Sequence, residues 1–179
     1  MKFDKLIFLD RDGIINKPAA IHQYILNWNS FEFLPGFITT FRKICQLNYK
    51  LVIITNQQCI GKGLMDESDL NKIHNKMINT LNKNQIFIQK IYHCPHLVEM
   101  KCKCRKPNPG MLIKAKKELN LKIDNNYCFL IGDSISDINA GLAFGCKTIL
   151  FNSRLKVMKH ILQPDYMITE LSQLLKIIK

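Results

Sequence analysis

The sequence predicts an α/β fold of three layers, a Rossmann-like parallel sheet with helices on both faces. Three observations predict it. Short runs rich in Ile, Leu, Val and Phe alternate along the chain with segments of helical period. These runs are apolar almost throughout, as in strands covered on both faces. Acids, amides and cations gather just after the runs, where folds of this kind bind ligands.

The first strand is KLIFLD, 5–10. The stretch 13–35 has no clear period and reads as a flap or loop over the sheet edge. A helix at 36–48 leads to the second strand, KLVIIT, 50–55. NQQCIGKGLM, 56–65, carries Gly61 and Gly63, but a Gly-x-Gly pair alone is weak evidence for a phosphate cradle. That segment reads as a flexible substrate-facing loop or a plain turn. Asp66, with Glu67 and Asp69 behind it, supplies the cap and first-turn acids of a helix at 66–84. The third strand is IFIQKIYH, 86–93. Asn108-Pro109 places a capping residue and a first-position proline before a helix at 109–120. YCFLIGD (127–133), a helix at 136–144, KTILFN (147–152) and a last helix near 170–178 complete the alternation. Strand and helix in strict turn require parallel pairing.

At 179 residues, 47% of them hydrophobic, the chain is long enough for one well-buried domain spanning 1–179. MKFDKLIFLDRDG is neither a signal peptide nor a membrane span, and no run of about 18 apolar residues occurs. A cytoplasmic location without membrane contact is expected, and there thiols stay reduced. Seven cysteines, an odd number, fit that compartment better than a disulfide framework. The net charge of +12 is the footprint expected of a nucleic-acid binder. The lysines are scattered over four of the five predicted helices, however, which favours a compositional bias or the steering of a small anion.

Four strand ends carry chemistry: Asp10-Arg11-Asp12-Gly13, Thr55-Asn56-Gln57, the Cys/His segment running into Arg105-Lys106, and Gly132-Asp133 with Asp137 beyond. Asp10 and Asp12 stand two apart, so strand alternation aims both to one side, and Asp133 adds a third carboxylate. Such oxygens suit a hard cation such as Mg²⁺. One acid is then free to attack a phosphorus and another to carry a proton, with Thr55 and Lys106 on the phosphoryl oxygens. Arg11, Asn56, Gln57 and Arg105, together with Lys106, are candidate substrate-binding residues on the same rim.

HCPHLVEMKCKCRKPNPG, His93 to Gly110, holds a C-x-H…C-x-C set: Cys94, His96, Cys102 and Cys104. Three sulfurs and one nitrogen are the composition of a closed tetrahedral zinc site, although the spacing is not that of a zinc finger. A disulfide knot or a redox cluster is the competing reading, and His93 competes with His96 as ligand. Cys45, Cys128 and Cys146 read as small core residues.

FLDRDGIIN, VIITNQ, CRKPNPGM and IGDSISD, in this order, resemble the four motifs of the haloacid dehalogenase superfamily of Mg²⁺-dependent phosphohydrolases. From about residue 5 to 152 the chain is similar to its small branch that lacks a large cap domain and inserts a zinc loop, here 93–107. That branch contains phosphatases of heptose 1,7-bisphosphate and of histidinol phosphate. The resemblance implies Asp10 as nucleophile and Asp12 as general acid, then base. It implies catalytic Mg²⁺ on Asp10, the backbone carbonyl of Asp12 and Asp133, with Asp137 orienting the metal shell or Lys106. Thr55 and Lys106 would stabilise the phosphoryl group, Arg105 would recognise substrate, and Cys94, His96, Cys102 and Cys104 would hold structural Zn²⁺. Two positions depart from the pattern: Ile14 stands for a usual threonine and Ser134 for the lysine of heptose enzymes. The substrate implied is a small phosphorylated sugar, D-glycero-D-manno-heptose 1,7-bisphosphate ahead of histidinol phosphate, with Lys17 and Lys62 as guesses for a second phosphate. A DNA 3′-phosphatase and a zinc-stabilised binding module without turnover are the other readings, and a monomer is expected.

Overall fold

The computed structural model describes residues 3–20, 23–151 and 163–179. Among them β1 (Asp4–Leu9), β2 (Lys50–Asn56), β3 (Ile88–Cys94), β4 (Ile123–Gly132), β5 (Lys147–Phe151) and β6 (Tyr166–Ile168) form one sheet in the order β3-β2-β1-β4-β5-β6. Every pairing is parallel. The chain runs outward from β1 to β3 and then returns to lay β4 beside β1. The direction of winding therefore reverses between β1 and β4, and a crevice opens at their carboxyl ends.

Side chains alternate across a strand, so each central strand feeds two cores. Ile7, Leu9, Leu51, Ile53, Phe129, Ile131 and Ile149 face one. Helices α1 (Phe37–Cys45), α3 (Glu67–Lys83) and α6 (Leu174–Ile177) cover that side through Phe37, Phe41, Ile44, Leu70, Ile73, Met77, Leu81 and Leu174. Leu6, Phe8, Val52, Ile54, Cys128 and Leu130 face the other, under Met111, Leu112 and Ala115 of α4 (Gly110–Glu118) and Ala140 of α5 (Ile135–Phe144). Both faces being covered is why the strands read as continuous apolar runs.

The segment 13–35, in its described residues 13–20 and 23–35, is a loop packed into the core rather than a flap over the sheet edge. Ile14, Ile15, Ile25 and Phe31 are buried in the core, and a chain of rings runs from Trp28, stacked on Phe31 at 4.8 Å, through the edge-on pair Phe31–Phe33 at 5.2 Å, to Phe37 at 6.4 Å and Phe41 at 4.4 Å, both stacked. Its backbone is irregular: the N–H groups of Ile14, Ile15 and Asn16 all donate to the carbonyl of Arg11. Apolar residues in such a coil show no period although they are buried. The segment 56–65 holds a short helix, α2 (Gln58–Gly61). β4 starts at Ile123, earlier than the sequence indicates, because its exposed first half is built of Asp124, Asn125 and Asn126. The last helix is a 3₁₀ turn, Leu171–Gln173, followed by the single turn of α6, and position 152 of the fifth predicted strand lies outside the described residues.

Asp66 caps α3 as expected, accepting from the Asp69 N–H at 2.8 Å. Asn108 does not cap α4, whose cap position is Pro109. Its amide donates instead to the Cys102 carbonyl at 2.8 Å. No helix among the described residues is long and apolar enough to cross a membrane.

Ile53 is fully buried in β2, between β1 and β3. Ile53→Ala is expected to cost about 2–5 kcal/mol, read as a lower urea midpoint at an unchanged m-value.

Candidate active site and Cys/His loop

The carboxyl ends of β1, β2 and β4 bring Asp10, Thr55 and Asp133 to the crevice, and the segment before α4 brings Lys106. The Lys106 ammonium is buried and lies 2.9 Å from Asp10 Oδ1, 2.5 Å from Asp137 Oδ1 and 3.0 Å from the Ile54 carbonyl it donates to. Asp10 Oδ1 also accepts the Arg11 backbone N–H at 2.7 Å. Asp137 closes a capping box with Ser134 at the start of α5, accepting from the Ser134 N–H at 3.1 Å. Carboxylate oxygens of Asp10, Asp133 and Asp137 lie within 4.8 Å of one another. Gly13, at φ 87°, lets the chain turn against this group, and a Cβ there would stand 2.0 Å from Asp133 Oδ2.

Burial pushes the Asp10 carboxyl up to about 8 despite the pull of Lys106, with Asp137 and Asp133 adding to the rise. Dehydration among the crowded crevice atoms and then Asp137 push Asp133 up to about 7, although the residue as a whole is exposed. Burial would lower the Lys106 ammonium, but Asp10 and Asp137 outweigh it and raise it. Three crowded carboxylates against one ammonium leave an excess of negative charge. That excess is the electrostatic condition for a divalent cation with oxygen ligands.

Asp12 stands apart from this group. Its carboxylate accepts from Arg11 Nη2 at 2.8 and 3.0 Å, Asn16 Nδ2 at 2.9 Å and Gln57 Nε2 at 2.9 Å. Burial would raise the Asp12 carboxyl, but Arg11, Asn16 and Gln57 together hold it below its usual range. Gln57 Nε2 also donates to Thr55 Oγ1 at 2.8 Å, which leaves the threonine O–H free to donate elsewhere.

Three of the predicted substrate-binding residues have donors engaged inside the protein. Arg11 is 1% exposed and its guanidinium binds Asp12 and His74. Asn56 grips the Lys106 peptide from both ends, donating to its carbonyl and accepting from its N–H, each at 3.1 Å. Gln57 joins Asp12 to Thr55. Arg105 remains at the half-buried rim, donating to the His96 carbonyl and to Gln58 Oε1 at 3.3 Å. Lys17 pairs with Glu32 and Lys62 lies over the Tyr24 ring. Sequence reasoning missed His74. The signal for it was a polar residue in the apolar stripe Leu70, Ile73, Met77, Leu81.

In the Cys/His loop, His96 Nδ1 lies 3.5 Å from Cys94 Sγ and 3.2 Å from Cys104 Sγ, and the three sulfurs are 3.3–3.5 Å apart. A tetrahedral site with Zn–S near about 2.3 Å has sulfur–sulfur edges of about 3.8 Å, so zinc fits after an opening of a few tenths of an ångström. Burial pushes the Cys94 thiol up to about 12. His93 turns away and pairs with Glu67 at 2.8 Å. The loop is held from both sides: the Gly61 N–H donates to the Pro95 carbonyl at 3.1 Å, and Gly110 sits so close that a Cβ would be 2.2 Å from the Lys103 carbonyl.

The sheet order and the strand-end acids define a haloacid dehalogenase-like phosphatase. The chain belongs to the family described as Polynucleotide kinase 3 phosphatase, whose model matches residues 5–169. It is 43% identical over 146 residues to a D-glycero-alpha-D-manno-heptose-1,7-bisphosphate 7-phosphatase of Campylobacter jejuni, covering 82% of this chain and 81% of that protein. With the D-glycero-beta-D-manno-heptose-1,7-bisphosphate 7-phosphatase of Pasteurella multocida it shares 36% identity over 183 residues, 98% of this chain and 97% of that one. The crystal structure of a D,D-heptose 1,7-bisphosphate phosphatase from B. bronchiseptica, complexed with magnesium and phosphate, superimposes with a TM-score of 0.86 at 28% identity, covering 96% of this chain and 98% of that chain.

Asn56→Ala removes both bonds to the Lys106 peptide. It is expected to destabilise the protein by about 1–3 kcal/mol, measured by urea unfolding.

Proposed function

We propose that this chain is a Mg²⁺-dependent phosphomonoester hydrolase working through an aspartyl-phosphate, and that it removes the 7-phosphate of D-glycero-D-manno-heptose 1,7-bisphosphate. The observation that carries the chemistry is the buried Lys106 ammonium joined to Asp10 and Asp137 beside Asp133. The relatives at 36–43% identity, named for this substrate, support the sugar.

Asp10 Oδ1 is tied to Lys106 and the Arg11 N–H, and its other oxygen attacks the phosphorus. The bond from phosphorus to the sugar oxygen breaks, and protonated Asp12 gives its proton to the departing oxygen. A phosphate dianion arriving beside Asp12 disfavours its charge and helps it carry that proton. In the second step Asp12, now carboxylate, takes a proton from water, whose oxygen attacks the phosphorus and releases inorganic phosphate and free Asp10. Thr55 and Lys106 bind the phosphoryl oxygens, Arg105 meets the rest of the substrate at the rim, and Asn56, Gln57 and Arg11 hold Lys106, Thr55 and Asp12 in place. Mg²⁺ bound by Asp10, the Asp12 carbonyl and Asp133 would supply the charge that lets a carboxylate approach a phosphate dianion. Zn²⁺ in the Cys94, His96, Cys102, Cys104 cage would pin the loop that ends at Arg105 and Lys106. The family match over 5–169 supports one phosphatase domain.

A phosphate-release panel tests the reading: both anomers of the heptose bisphosphate, histidinol phosphate, fructose 1,6-bisphosphate and a 3′-phosphorylated oligonucleotide. The heptose is expected to lead in kcat/KM, and comparable slow turnover of all substrates overturns the specific reading. Asp10→Asn is expected to lower release by on the order of 10³-fold or more with thermal unfolding unchanged. Cys102→Ser, or prolonged strong chelation, is expected to lower stability and activity together, whereas removal of Mg²⁺ alone stops turnover with little unfolding.

A further inference from the structure

α3 buries Leu70, Ile73, His74, Met77 and Leu81, and His74 is the polar member of that set. A polar ring on an apolar stripe is costly unless it is bonded, and the bond it makes is to Arg11. Arg11 Nη1 lies 3.3 Å from His74 Nε2 across 63 residues of sequence. A guanidinium has donors only, so Nε2 accepts, and the ring is neutral with its proton on Nδ1. A protonated ring would set a second cation against Arg11 in a buried place. In agreement, burial first and Arg11 second push the imidazole down to about 3.

The rest of the Arg11 fork faces Asp12: Nη2 donates to both carboxylate oxygens, and Nε to Oδ1 at 3.3 Å. The fork is planar and rigid. If Nη1 lost its acceptor and turned to find another, Nη2 and Nε would leave the carboxylate.

We propose that His74 is a positioning residue for proton transfer, fixing the Arg11 guanidinium and through it the carboxylate of Asp12. This rests on Asp12 being the general acid and base. A sugar alkoxide is a poor leaving group and needs the proton of Asp12, whereas an aryl oxide leaves without it. Misplacing Asp12 therefore penalises sugar phosphates selectively, which a general loss of structure does not.

The test compares kcat/KM, which covers binding through departure of the leaving group, for the heptose bisphosphate and for 4-nitrophenyl phosphate. His74→Leu suits the apolar stripe, and thermal melting reports whether the fold is kept. General acid catalysis contributes on the order of 10²–10⁴-fold, so His74→Leu is expected to lose about tenfold or more on the sugar phosphate and less than about threefold on the aryl phosphate. His74→Gln keeps an acceptor oxygen near the place of Nε2 and is expected to restore most of the loss. Equal losses on both substrates, no loss on either, or a Gln variant no better than Leu overturns the proposal. Asp12→Asn separates the two readings. If it too lowers both substrates equally, the assignment of Asp12 fails. If it is selective and His74→Leu is not, only the role of His74 fails.

Discussion

The ammonium of Lys106 is buried between Asp10 and Asp137, and an unpaired charge in that place would cost several kcal/mol. An ammonium has three N–H donors. Here the ammonium donates to the Ile54 carbonyl and forms ion pairs with the two carboxylates. Much of the surrounding structure serves this arrangement. Asn56 holds the Lys106 peptide from both ends, Ser134 caps the helix that carries Asp137, and the crevice between β1 and β4 supplies Asp10 on one wall and Asp133 on the other.

The Cys/His loop solves the remaining problem, which is how an irregular segment delivers a cation to a fixed point. Cys104 is followed directly by Arg105 and Lys106. Four side chains gathered closely enough to hold a metal ion, with α2 against Pro95 and α4 against Lys103, leave that segment little freedom, the kind of preorganisation that positions a group before any ligand arrives. The glycines at 61 and 110 are contact residues: each stands where a side chain would meet a loop carbonyl.

Asp10 and Asp12, two positions apart, live in opposite environments. Burial and neighbouring acids raise the first, while Arg11, Asn16 and Gln57 hold the second low. Two carboxylates whose pKa values are pushed apart by their surroundings are the usual basis for dividing nucleophilic and proton-transfer work. The separation of the two environments depends on the buried Arg11, which sequence reasoning had made a candidate for binding substrate.

The sequence by itself determined five of the six strands, their parallel sense, the four strand-end motifs and the four members of the Cys/His cluster; the short edge strand β6, Tyr166–Ile168, it did not show. Period, apolar runs and residue spacing are local properties, and they report directly on which side chains leave the ends of strands. Only the tertiary structure decided what the polar side chains do once there. An arginine, an asparagine and a glutamine beside strand-end acids look alike whether they face solvent or a neighbour. Their partners, His74 for Arg11, the Lys106 peptide for Asn56 and Thr55 with Asp12 for Gln57, include groups set by how β1, β2 and α3 pack. The segment 13–35 escaped for a related reason: its apolar residues are buried by an irregular backbone, and burial without a repeat leaves no pattern along the chain.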